Sequence, residues 1–237
     1  MHFILRTRGR FGPRALLIAA VVPLTGWVVH AVVLHMKLAA ATRDPLTGLL
    51  RRDVYTARAR RLMAAYGDDT TVVMVDADKF KRINDGLGHA AGDTVLEAFG
   101  TRLTAWAGPG AAVGRLGGDE FAVVLELTAH NREQRLDQLV RMLHTPVTLD
   151  DGSTVDVAAS VGAAAPALVG SRDLSVLQRA ADAALYEGKQ SGRAVLATNQ
   201  HRTVPSVNGR RAGRPGTSVR GERRSLITTT DTGQNPK

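Results

Sequence analysis

Cysteine is absent from this chain of 237 residues. Its absence excludes disulfide bonds, thiolate metal sites and cysteine nucleophiles, and it is compatible with a reducing cytosol. Hydrophobic residues are not scarce, since they make up 44% of the sequence. That share is enough for a folded core in one or two domains.

Aromatic residues form only 4% of the sequence, and none lies in the basic segment 199–237. This segment has eight Lys and Arg residues against two acidic ones, so it carries +6 of the net charge of +9. It is also rich in Gly, Ser, Thr and Pro, a composition typical of disorder. We predict a solvated, disordered tail with at most a weak attraction to anionic surfaces, and nucleic acid is disfavoured as a partner because no aromatic side chain is available for base stacking.

No Asp, Glu, Lys or Arg occurs among the 22 residues 15–36. A helix of this length spans a hydrocarbon core of about 30 Å, so the segment predicts a transmembrane helix behind a basic segment, 1–14. The apolar run is too long for a typical signal peptide, although Ala39-Ala40-Ala41 resembles a cleavage site. A cleaved signal or a buried helix stays open as an alternative.

The charges flanking this segment indicate its orientation only weakly. Four arginines precede the segment, which favours a cytoplasmic N-terminus by the positive-inside rule. A comparable basic cluster follows it, however, formed by Lys37, Arg43, Arg51 and Arg52. Charge alone therefore leaves the orientation open.

Hydrophobic periodicity predicts the order strand, helix, hairpin, helix, strand, helix, which is typical of α/β or α+β domains with helices covering a sheet. An amphipathic helix over 50–66 is expected inside a linker, 37–66. The other predicted elements are a strand 71–76, a helix 93–106 capped by Asp93, a hairpin 111–125, a helix 132–143, a strand 154–161, a loop 162–170, a helix 174–190 and a strand 195–196.

Residues 114–121 lie between two short apolar runs, which predicts the tight turn of a β-hairpin. Gly117 and Gly118 permit positive φ and the close approach of a ligand's phosphates. The carboxylates of Asp119 and Glu120 are hard oxygen ligands that suit a divalent cation. The alternative is an ordinary glycine turn followed by solvated acids.

Asp76 ends the buried strand 71–76. If the hairpin turn lies beside it, acids from two parts of the chain converge on one site. Mg²⁺ bound to nucleotide phosphates takes one or two protein carboxylates, and paired metals assist in-line phosphoryl displacement. The alternative is that Asp76 only caps the next turn.

Five separated sequence blocks identify a resemblance that covers residues 44–193. They are Asp44-Pro45-Leu46-Thr47-Gly48-Leu49, the block 76–85 (DADKFKRIND) with Gly88-His89 and Gly92-Asp93, Arg115-Leu116-Gly117-Gly118-Asp119-Glu120-Phe121, Ser160-Val161-Gly162, and the block 181–186 (ADAALY) with Lys189 and Gly192-Arg193. In this order they resemble the GGDEF family of diguanylate cyclases, with the domain expected over 44–198. The resemblance implies a nucleotidyl-cyclase palm-like sheet with helices packed around it.

The resemblance also implies that two GTP molecules condense to cyclic di-GMP and two pyrophosphates with Mg²⁺, or alternatively Mn²⁺. Asp76, the Ala77 carbonyl, Asp119 and Glu120 would be the metal ligands. Asp119 or Glu120 would promote deprotonation of the attacking 3′-hydroxyl, and Lys81 would assist catalysis by neutralising phosphate charge.

The same resemblance implies the substrate-binding residues. Asn84 and Asp93 would read guanine, because a carboxylate accepts from N1–H and N2–H₂ of that base. Gly117 and Gly118 would admit the triphosphate, which Lys189 and Arg193 would neutralise. Asp93 as a helix cap, and Lys189 and Arg193 as charges favouring a helix C-terminus, remain alternatives.

Turnover in the family joins two domains, so a homodimer is expected, with the membrane helix and the helix that follows it controlling dimerisation. Because GTP is cytosolic, we expect a single-pass protein of the cytoplasmic membrane with its catalytic domain in the cytoplasm. Gly108 and Ala111 stand where the family usually has the Arg and Asp of a product-inhibition site. A catalytically inactive module that binds GTP or cyclic di-GMP is the alternative function.

Overall fold

The structure is a computed structural model that describes residues 23–34 and 42–204. Residues 23–34 form an exposed helix, α1. In these described ranges, no helix is long and apolar enough to cross a membrane. The predictions for the basic segment 1–14 and for most of the membrane segment 15–36 lie outside the described residues, as does the tail beyond residue 204.

The described chain forms a mixed six-stranded sheet with the strand order β1-β3-β4-β2-β7-β8, and a separate pair, β5-β6. The strands are β1 (Leu50–Arg51), β2 (Thr70–Ala77), β3 (Ala112–Gly117), β4 (Glu120–Glu126), β5 (Val147–Thr148), β6 (Thr154–Val155), β7 (Ala159–Ala164) and β8 (Val195–Leu196). The helices after α1 are α2 (Arg52–Tyr66), α3 (Phe80–Leu87), α4 (His89–Ala107), α5 (Arg132–Leu143), α6 (Pro166–Val169) and α7 (Leu174–Ser191). Antiparallel pairing joins β2 to both β4 and β7.

Helices cover both faces of this sheet, so the central strand β2 is buried along its whole length. Successive side chains of a strand point to opposite faces. Accordingly, Val73 and Val75 pack with α4 and α5, whereas Val72 and Met74 pack with α2 and α7. The alternation places the next even-numbered residue, Asp76, on the α2 and α7 face.

Close approach of α7 to β7 depends on Gly162. A Cβ atom at this position would lie 2.0 Å from the Ala181 carbonyl oxygen and 2.4 Å from the Leu185 nitrogen. Both atoms belong to the backbone of α7, which cannot move away cheaply. Gly162 therefore fixes the distance between α7 and the sheet, and with it the reach of the side chains near the end of α7.

The predicted helix 93–106 needs correction at its start. Helix α4 begins at His89 rather than Asp93, so Asp93 lies within the helix and is not its N-cap. Helix α4 follows directly on α3. Periodicity does not indicate α3, because its apolar contact with α4 is made by Phe80 and Ile83. Gly88, with a φ of 86°, separates the two helices.

The segment 154–170 also differs from its prediction. The expected strand 154–161 is divided into β6 and β7, and β7 continues to Ala164 where a loop was expected. Small residues suit β7 because α7 packs directly against it. The same run of small residues is also typical of a loop, which explains the wrong prediction. The predicted tail starts later than residue 199, since Asn199–Thr203 form a 3₁₀ helix with His201 buried.

Candidate active site

Asp76 and Glu120 are direct partners across the antiparallel strands β2 and β4. Side chains at such paired positions lie on the same face, with Cβ atoms about 4.5–5.5 Å apart. Asp76 is only 1% exposed, whereas Glu120 is half-buried. Two carboxylates from distant parts of the sequence are thus neighbours at one end of the sheet, on the face covered by α7.

Lys189, near the end of α7, brings a positive charge to this position. Its Nζ atom donates a hydrogen bond of 2.8 Å to Oδ1 of Asp76. The side chain of Lys189 is 29% exposed and that of Asp76 is 2% exposed. The ion pair therefore offsets the cost of burying the Asp76 charge, and it leaves the lysine within reach of solvent.

The glycine turn between β3 and β4 is held by two arginines. Gly117 and Gly118 have positive φ values of 152° and 51°. Arg115 donates two hydrogen bonds, of 2.9 and 2.8 Å, to the Gly118 carbonyl oxygen. Arg52, the first residue of α2, donates two of 3.1 and 2.8 Å to the Leu116 carbonyl oxygen.

Asp119 occupies this turn next to the end of β2. Its carbonyl oxygen accepts a hydrogen bond of 3.1 Å from the backbone N–H of Ala77. Asp119 is half-buried, while the two glycines before it are exposed. The turn is thus joined to the end of β2 that carries Asp76, as the sequence predicted.

Asp44 supports the turn from the segment before β1. It accepts hydrogen bonds from the backbone and hydroxyl of Thr47, at 2.8 and 2.7 Å, and one of 3.0 Å from Arg115. Burial acts to raise the pKa of Asp44, but the bonds from Thr47 and Arg115 together hold that pKa below its usual value. Asp44 is therefore a charged anchor for Arg115.

The two predicted guanine readers lie on neighbouring helices. Asn84 is a half-buried residue of α3, and Asp93 is an exposed residue in the second turn of α4. The Asn84 side chain lies against Gly92, the residue immediately before Asp93. The fold therefore brings the Asn84 amide to the part of α4 from which Asp93 projects.

A cavity of about 770 Å³ lies beside α3. Its walls include Lys79, Arg82, Asp156 and Lys189. Lys79 is a non-glycine residue with a φ of 54°, a left-handed conformation that is uncommon for residues other than glycine. Asn84 and Asp93 are not among the residues that line this cavity. The residue that the cavity shares with the predicted site is Lys189.

Two predicted phosphate-binding residues stand apart from these contacts. Lys81 on α3 and Arg193, just after α7, are both exposed, and neither lines the cavity. Both lie on segments that contribute to the site, α3 and the end of α7. Their roles stay predictions.

The donor set suits a hard divalent cation only in part. Within residues 23–34 and 42–204, no three His, Cys, Asp or Glu side chains are grouped so that they could hold a metal ion. Asp76, Asp119 and Glu120 therefore do not form a ready three-carboxylate cluster. Mg²⁺ bound to a nucleotide needs only one or two carboxylates. The hydrogen bond from the Lys189 ammonium group shows that the Asp76 carboxylate accepts a cationic partner.

The sequence did not indicate the parts played by Arg52, Arg115 and Gly92. Each acts on backbone or on another side chain: the arginines bind carbonyl oxygens of the turn, and Gly92 leaves space for Asn84. Their positions could have indicated these roles, because each residue lies within or beside one of the five sequence blocks.

Residues 41–195 match the family described as "Diguanylate cyclase, GGDEF domain". An uncharacterized 19.3 kDa protein of Streptomyces ambofaciens is 43% identical over 176 residues, which cover 74% of this chain and 93% of that protein. Diguanylate cyclase TpbB of Pseudomonas aeruginosa is 35% identical over 158 residues, 65% of this chain and 36% of TpbB.

The solved GGDEF domain of TpbB from Pseudomonas aeruginosa superposes with a TM-score of 0.60 at 35% sequence identity. The match covers 67% of this chain and 96% of the solved one. The predicted α+β fold, a palm-like sheet surrounded by helices, is thereby confirmed. The chain spans about a third of the full length of TpbB.

Proposed function

This chain belongs to the GGDEF-domain family of diguanylate cyclases, and we propose that it condenses two GTP molecules into cyclic di-GMP and two pyrophosphates. The observation that carries the proposal is the pairing of Asp76 with Glu120 across β2 and β4, beside a glycine turn. This arrangement provides carboxylates and accessible backbone at one point, as phosphoryl transfer from a nucleotide requires.

The proposed metal ligands are Asp76, the Ala77 carbonyl, Asp119 and Glu120. No single ion would bind more than two of these carboxylates. Bound Mg²⁺ would offset phosphate charge and favour ionisation of the attacking 3′-hydroxyl. Asp119 or Glu120 would accept the proton of that hydroxyl. Both are half-buried and therefore stay accessible to a substrate.

Phosphate charge would be offset by Lys189, Lys81 and Arg193, and Gly117 and Gly118 would let the phosphates approach the turn. Lys189 has a special place among them because it already binds Asp76. Its partly exposed side chain can exchange this partner for a phosphate oxygen by rotation. We therefore propose that Lys189 balances the charge of Asp76 when no nucleotide is present.

The base would be read by Asn84 and Asp93. A carboxylate accepts hydrogen bonds from N1–H and N2–H₂ of guanine, whereas adenine lacks this pair of donors. An amide supplies one acceptor and two donors to the same base. Their placement on the adjoining helices α3 and α4 supports the proposed preference for GTP over ATP.

Cyclic di-GMP contains two guanylate units, and the proposed site binds one GTP. We therefore propose that two copies of the chain face each other during turnover. An isolated monomer would bind GTP and leave it intact.

The location of the chain is a separate proposal. Residues 15–36 would anchor the protein in the cytoplasmic membrane, with the GGDEF domain in the cytoplasm, where GTP is available. A reporter fused to the C-terminus of the full chain tests this: activity of a reporter that works only in the cytosol agrees with it, and activity of one that works only after export contradicts it.

The enzymatic proposal is tested with the purified full chain, GTP and Mg²⁺, by separating the products chromatographically. Cyclic di-GMP and pyrophosphate in a ratio of one to two support the proposal. Tight GTP binding without any product, across a range of protein concentrations, would instead support the inactive binding module.

A further inference from the structure

Gly92 occupies a position in α4 where the fold leaves no room for a side chain. A Cβ atom built there would lie 1.9 Å from Oδ1 and 3.0 Å from Cγ of Asn84, and 3.2 Å from Cζ of Phe80. Even hydrogen-bonded N and O atoms keep at least about 2.5 Å between them. The Asn84 carboxamide therefore takes up the space that a Cβ at position 92 would fill.

Helix formation alone does not explain this glycine. Gly92 lies inside α4, where glycine is less favourable than alanine because of the entropy it loses on folding. Close backbone packing does not explain it either, since the nearest atoms to the added Cβ are those of the Asn84 side chain. Gly100, in the same helix, differs: an added Cβ there meets both side-chain and backbone atoms of Thr47 at 3.0 and 3.1 Å.

We propose that Gly92 is a specificity-determining positioning residue, which by lacking a side chain allows the Asn84 carboxamide to lie beside Asp93 and read the guanine base. This inference rests on the proposed function, which assigns base reading to Asn84 and Asp93. Gly92 itself contacts no substrate and acts through Asn84.

The geometry predicts what an alanine at this position does. The clash involves the end of one side chain with two rotatable bonds, so Asn84 turns away and the backbones of α3 and α4 stay in place. The Phe80 ring, at 3.2 Å, needs to yield by only a few tenths of an ångström. Gly92→Ala therefore moves the base reader without unfolding the domain.

Gly86 provides a matched control. It lies in α3, two residues after Asn84, and a Cβ added there meets no atom within 4 Å. Gly86→Ala thus makes the same chemical change on an adjoining helix and leaves the Asn84 carboxamide undisturbed.

The test uses the purified full chain and four variants: Gly92→Ala, Gly86→Ala, Asn84→Ala and the double variant Asn84→Ala/Gly92→Ala. Equilibrium titrations with GTP and with ATP, made without Mg²⁺ so that GTP is not consumed, give the affinities, and thermal melts report folding. We expect Gly92→Ala to lose about tenfold in GTP affinity, the equivalent of a hydrogen bond or two, and to lose part of its preference for GTP over ATP, because Asp93 is left in place. Its melting temperature should be at least that of the wild type, and Gly86→Ala should keep wild-type affinities.

The double variant separates a positioning role from a structural one. If Gly92 acts through Asn84, adding Gly92→Ala to Asn84→Ala causes no further loss of GTP affinity. Wild-type affinity and base preference in Gly92→Ala, or additive losses in the double variant, would overturn the inference. A wild-type chain that binds GTP without converting it contradicts the proposed enzyme, whereas these same titrations still decide the role of Gly92.

Discussion

Lys189 Nζ lies 2.8 Å from Oδ1 of Asp76, and this bond joins the end of α7 to the end of the central strand. Asp76 is almost completely buried, so its charge depends on a partner. Removing one member of a buried ion pair is costly because the remaining charge is left in a poorly solvated place.

Lys189→Met should therefore lower the free energy of unfolding by about 1–3 kcal/mol, less than for a fully buried pair because the lysine side chain is 29% exposed. Urea denaturation of the GTP-free protein measures this difference. Lys81→Met is the matched control, since Lys81 is an exposed lysine on α3. Equal stabilities of the two variants would show that the ion pair does not contribute.

Asp44→Asn should reveal a pH dependence of stability. Hydrogen bonds from Thr47 and Arg115 lower the pKa of Asp44 in the folded state, although burial opposes them. The charged form therefore stabilises the fold above the unfolded pKa of about 3.9, and this contribution is lost as pH falls through the lower folded value. The wild type should be more stable than the variant at pH 7, and this difference should shrink below about pH 4. A difference that stays constant down to pH 3 would contradict this cause.

Arg52→Lys should reduce the rate of turnover while leaving the fold intact. The exposed Arg52 guanidinium forms two hydrogen bonds with the Leu116 carbonyl oxygen, and a lysine cannot reproduce this fork. We expect the rate of cyclic di-GMP formation to fall about tenfold, because a displaced turn misplaces Asp119 and Glu120. Arg61→Lys, an exposed change on the same helix, should keep the wild-type rate; equal rates for both variants would exclude a role for Arg52.

Added cyclic di-GMP should not produce strong noncompetitive inhibition. Gly108, with a φ of 78°, and the buried Ala111 stand where a product-inhibition site would need charged side chains. Initial rates at several GTP concentrations, with and without product, distinguish the kinds of inhibition. Strong noncompetitive inhibition would mean that the chain has a product site built from other residues.

The sequence predicted the parts of the fold that depend on strong local patterns. The β3–β4 hairpin follows from two glycines between apolar runs, and β2 follows from a continuous buried run that ends in Asp76. The separate helix α3 and the strand β7 were missed or shortened. Their stability comes from tertiary contacts, with α4 for Phe80 and with α7 for Gly162, which a local pattern does not reveal.

The candidate site was predictable as a set of residues but not as a set of contacts. The proximity of Asp76 to the turn could be inferred from strand ends. The bond between Lys189 and Asp76 spans 113 residues of sequence, and the arginine contacts with the turn end on carbonyl oxygens, which carry no sequence signal. The space that Gly92 leaves for Asn84 likewise appears only when α3 and α4 are seen together.

The most direct test of the central claim is the initial rate of cyclic di-GMP formation by the purified chain and by Asp119→Ala, with GTP and Mg²⁺, over a range of protein concentrations. We expect product from the wild type, with specific activity rising as copies associate, and at least a hundredfold lower rate for Asp119→Ala, of the order seen when a group that stabilises the transition state is removed. Wild-type rates in Asp119→Ala, or no product at any wild-type concentration, would contradict it.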